Sequence, residues 1–93
     1  MSRYTEEEEK ELNAQLKKWQ RRAKRLILSN YYDCVSDRLN ELNYTALRAV
    51  TNAETHRDIN CYLWNSGLIE RTLDRVVEMI KEVREEDRKR GKR

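Results

Sequence analysis

The 93-residue sequence has no proline and no phenylalanine, only two glycines (Gly67 and Gly91), two cysteines (Cys34 and Cys61) and one histidine, His56. Two cysteines cannot build a disulfide-rich secreted scaffold. No apolar run approaches the roughly 20 residues that a membrane span needs. No secretory signal opens the sequence, so a reduced, cytosolic protein that does not enter membranes is expected. One histidine, no glycine-rich phosphate loop and no serine beside a plausible base leave no catalytic signature, so no enzyme and no cofactor is expected. His56 and Cys61 are five residues apart, not the three or four that set two metal ligands side by side on a helix. Both thiols are expected to be buried as small hydrophobes, with no disulfide and no metal.

What is present is helical patterning. Hydrophobic residues make up 38% and charged residues 40% of the chain, which suits long amphipathic helices better than a compact globule. The length allows one domain. Apolar residues at Ile59, Tyr62, Ile69, Leu73, Val76, Ile80 and Val83 alternate in steps of three and four, with Ser66 in one polar slot. That spacing lines one face of a helix over about residues 53–88, roughly 50 Å long. Within it, Gly67 implies a close backbone approach or a kink.

A preceding helical stretch, about residues 5–50, begins at a capping box of Thr5 and Glu8. Its stripe is Leu12, Leu16, Trp19, Ala23 and Leu26 or Ile27. Ser29-Asn30 can cap a new helix, but no glycine or proline forces a break there. The small residues Ala46, Ala49 and Ala53 favour close approach of a second helix. Thr51 to Glu54 repeats the capping-box pattern and marks the reversal.

The fold expected is therefore all-α, a long antiparallel helical hairpin bent or broken near Asn30, with a three-helix arrangement as the competitor. The hairpin places Glu82, Glu85, Glu86 and Asp87 beside Lys17, Lys18, Arg21 and Arg22, and the basic tail 88–93 beside the acidic residues 6–11. Opposite charges on neighbouring helices favour that register modestly.

Two segments are functional candidates. Lys17, Lys18, Arg21, Arg22, Lys24 and Arg25 form a basic run without an acid, suited to phosphate contact. Trp19 inside the run either stacks on a base or, as its place on the stripe favours, packs in the core. The second candidate is an apolar patch in which Trp64, Leu63 and Leu68 fall off the main stripe. One helix cannot shelter both sides, so Tyr62, Trp64, Leu68, Ile69, Leu73 and Val76 are expected to meet a second copy or a protein partner. A three-helix core around Trp64 is the alternative.

In its second half, the order Leu39, Leu42, Arg48, then Asp58, Gly67-Leu68-Ile69 and Leu73 to Ile80 resembles short helical proteins of tailed bacteriophages, often encoded near packaging or portal genes. The resemblance implies an accessory or assembly role in the host cytoplasm or virion, and carries over no chemistry and no site residues. The expected function is non-enzymatic self-association or docking on a protein. The rival is a nucleic-acid-binding module that uses the basic run and the tail 88–93.

Overall fold

Local side-chain chemistry sets where each helix starts and stops. The computed structural model describes residues 4–91 and is all-α. Helix α1 spans Glu6–Ile27. Thr5 caps it as the sequence predicts: its Oγ1 accepts the Glu8 N–H at 3.1 Å, and the Glu8 carboxylate accepts the Thr5 N–H at 3.3 Å. After Leu28 the chain turns without a glycine. The Ser29 hydroxyl accepts the Tyr31 N–H at 3.3 Å, and helix α2 follows over Tyr32–Arg38. A second break comes at Leu39, whose ψ of 139° is extended. Asn40 then caps helix α3, Glu41–Asn52, by accepting the Asn43 N–H at 2.7 Å.

The long helix expected over 53–88 is not one helix. Its first third is a 3-10 turn, His56–Asp58, and a short helix α4, Cys61–Asn65; only Leu68–Gly91 forms the long helix α5. Three devices divide it. Thr55 and Asp58 make the capping box that the sequence pattern places at Thr51, whose hydroxyl instead donates to the Arg48 carbonyl inside α3. Asn60 accepts the Tyr62 N–H at 2.7 Å and starts α4. Gly67 has φ +74°, a left-handed conformation open to glycine at little cost, and a Cβ there would meet nothing within 4 Å. Gly67 therefore marks a kink, not a close approach. Gly91 is the last residue of α5.

The helices form a three-pass rod of 62 × 21 × 17 Å. α3 runs back along α1: Gln20 Nε2 donates to the Val50 and Ala53 carbonyls at 3.1 and 2.7 Å, and Asn13 accepts the His56 N–H at 3.0 Å. α5 runs antiparallel to α2 and α3, with Thr72 donating to Asn43 at 3.1 Å and Tyr31 to Asp87 at 3.1 Å. α1 and α5 are thus parallel, with Trp19 against Trp64 and Arg22 against Asp74. The two-pass hairpin is replaced by the three-helix arrangement, because the turn at Ser29-Asn30 is real and α1 becomes a third wall.

That third wall decides the core. One cluster joins Leu16, Trp19 and Ala23 of α1 with Ala46, Leu47 and Val50 of α3 and Leu68, Ile69 and Leu73 of α5. A second joins Val35 of α2 with Val76, Met79, Ile80 and Val83 of α5. Leu26 and Leu39 pack against both. Ala46 and Ala53 are buried where α3 approaches its neighbours, as their size allows. The cysteines are not buried: both are exposed free thiols, since Val35 takes the core position beside Cys34 and Cys61 opens the short α4.

Candidate nucleic-acid interface

Helix geometry places the basic run. At 100° per residue, Lys17, Lys18, Arg21, Arg22, Lys24 and Arg25 spread over about 160° of the α1 circumference. The buried Leu16, Trp19 and Ala23 lie on the opposite side. The segregation follows from the sequence, because the stripe that fills the core leaves the remaining positions to water. Lys17, Lys18, Arg21, Lys24 and Arg25 are exposed; Arg22 is partly covered and pairs with Asp74 at 2.8 Å. The other five have no ion pair among the described residues. Lys18, Arg21, Arg22 and Arg25 line a shallow depression of about 270 Å³. Cations in the last turns also complement the negative end of the helix dipole.

The acids expected to neutralise this run lie elsewhere. In the parallel arrangement the 82–87 segment of α5 reaches α2 instead. There Asp87 accepts the Tyr31 hydroxyl, which raises the Tyr31 pKa above its ordinary value, and the Arg84 guanidinium sits 5.9 Å from the Tyr31 ring centre. The expected pairing of the tail with the acids of 6–11 fails for the same reason, and residues 92–93 of that tail lie outside the described residues. Glu9 pairs with Arg57.

Trp19 is 5% exposed, so it has no face to offer a base. Its ring meets Trp64 at a centroid distance of 4.8 Å and an angle of 63°, an edge-to-face contact.

The second expected surface is taken apart by the fold. Leu68, Ile69, Leu73 and Val76 are at most 7% exposed and lie in the chain's own core, so they are not available to a partner. Trp64 is half-buried between Trp19 and His56. Tyr62 alone of the six stands clear, at 65% exposure. Apart from Tyr62, this apolar excess is covered by α1, α2, α3 and the 53–65 segment itself.

The sequence pattern does not point to a cleft at the N-terminal end of α1, where Tyr4, Leu12, His56 and Trp64 come together. Its one signal is the lone His56, which the spacing to Cys61 presents only as a poor metal ligand. Among the described residues no three His, Cys, Asp or Glu side chains gather as metal ligands. No helix among them is long and apolar enough to cross a membrane. Comparison with protein-family models, curated proteins and solved structures gives no match.

Proposed function

We propose that this chain is a non-enzymatic module that binds duplex nucleic acid through the solvent face of α1. One observation carries the reading: five cations without ion pairs among the described residues, and a sixth partly free, share an unbroken face opposite the core. From Lys17 to Arg25 that face covers about 12 Å of helix axis. A duplex carries one negative charge per about 1.7 Å of its axis, so several phosphates fall within reach. With Trp19 buried, the face has cations and no stacking platform, which favours backbone contact over base readout and duplex over single strand. An accessory or assembly role, as the resemblance to phage proteins implies, is compatible with this reading.

The test is titration of random-sequence duplex and single-stranded DNA across a salt series. Four to six phosphate contacts give a slope of log K against log salt of about −4 to −5. Negligible binding at low salt, or tighter binding to single strands with a shallow slope, overturns the reading. Of the six residues expected at a protein interface, Tyr62 alone still supports docking of a partner. A partner bound there would be lost on Tyr62→Ala and untouched by changes to α1.

A further inference from the structure

The two ends of the rod carry opposite charge. At one end, the first turns of α1 hold Glu6, Glu7, Glu8, Glu9 and Glu11, with the 53–65 segment folded beside them. At the other end, α5 continues past the Tyr31–Asp87 contact and presents Arg88, Lys89 and Arg90, all exposed. Among the described residues, Arg88 pairs only with Glu85 of its own helix, at 3.8 Å. Because α1 and α5 run parallel, the length of the molecule separates these ends, and they cannot meet within one chain.

The acidic end holds more than charge. His56 is 7% exposed, and its imidazole makes no hydrogen bond among the described residues. It lines a cleft of about 220 Å³ together with Tyr4, Trp64 and Arg57, whose guanidinium is matched by Glu9. The imidazole stands edge-on to both rings, at 5.5 Å from Tyr4 and 6.3 Å from Trp64. An adjoining depression of about 210 Å³ shares Tyr4, Leu12 and Trp64 and is lined by Glu8, Glu11 and Gln15. Aromatic rings that attract cations, together with the Glu8 and Glu11 carboxylates of the adjoining depression, suit a guanidinium or ammonium carried on an aliphatic stem.

We infer that this cleft receives the basic last turn of α5 from a second copy, joining molecules head to tail. The contact is heterologous: each chain uses its acidic end once and its basic end once, so the assembly grows as an open chain unless its rotation closes a ring. This surface is separate from the α1 cations, and its test contains no nucleic acid, so either reading can fail alone.

Sedimentation velocity of the full chain, from low to high micromolar at low and at high salt, tests the inference. Wild type is expected to gain mass with concentration at low salt and to lose that gain at high salt. The triple variant R88E/K89E/R90E and the double variant E7K/E11K are each expected to remain single chains, with unchanged helical circular dichroism. The double variant leaves the Glu8 cap in place. An equimolar mixture of the two restores assembly, because each then offers what the other lacks. Tyr4→Ala weakens assembly without altering any charge. A wild type that stays monomeric throughout, a charge variant that assembles as well as wild type, or a mixture that stays monomeric overturns the inference.

Discussion

Replacing Gly67 by alanine separates the three-pass rod from a continuous second helix by sign, not only by size. Gly67 sits between α4 and α5 with φ +74°, and the space around a Cβ there is empty. Sterics contribute nothing, so the cost is the left-handed conformation alone, about 1–2 kcal/mol for an L-residue with a side chain. Reduced freedom of the unfolded chain offsets about 0.4–1 kcal/mol of it. A net loss near 1 kcal/mol remains, equivalent to a fall in Tm of about 4–8 °C for a domain of this size. Were residues 53–88 one helix, the same change would remove a helix-interior glycine and stabilise by about 1 kcal/mol. Urea unfolding followed by circular dichroism measures the difference, with an unchanged m-value showing that the same surface unfolds. Gly91→Ala is the control, since it lies at the end of α5 in open space without a left-handed φ, and its midpoint should move little or rise. A Gly67→Ala protein more stable than wild type would refute the break at this residue.

Three further outcomes are expected. Lys18, Arg21 and Arg25 replaced together by alanine should make the salt slope for duplex binding shallower by about 2.7, because each phosphate contact contributes about 0.9. The unfolding midpoint should hold, since none of the three has an ion pair to lose among the described residues. Gln20→Ala leaves the Val50 and Ala53 carbonyls without their donor at the end of α3, and should cost about 1–3 kcal/mol in urea unfolding. Asp58 accepts the Thr55 and Glu54 N–H groups, which hold its carboxyl below the ordinary aspartate value. Its contribution is therefore complete above the unfolded aspartate pKa and lost as pH falls through the lower folded value. The stability gap between wild type and Asp58→Ala should close across that acid window, measured as urea midpoints against pH.

The α1 capping box and the longest apolar stripes are legible in the residues alone. Thr5 and Glu8 announce α1, and the run Ile69, Leu73, Val76, Ile80 and Val83 is the buried face of α5. The breaks are harder to read because none of the first three uses glycine or proline. Leu39-Asn40 carries no such marker, and Thr55-Asp58 competes with an equally plausible pattern at Thr51-Glu54. Exposed ion pairs misdirect the register: they are worth too little to choose between helix orders, whereas burying Leu16, Trp19 and Ala23 against α5 is not. The basic face of α1 follows directly from periodicity. The cleft around His56 does not, because Tyr4, His56 and Trp64 are far apart in the chain and meet only once the 53–65 segment folds back on α1.

The parallel course of α1 and α5 also governs how the molecule bears load. Tyr4 and Gly91 lie toward opposite tips of a body 62 Å long, so tension applied through them acts along the rod. Such tension slides α1 past α5 in shear and strains the whole shared seam, from Trp19 and Trp64 to Leu26, together. An antiparallel pair held by the same residues would unzip turn by turn.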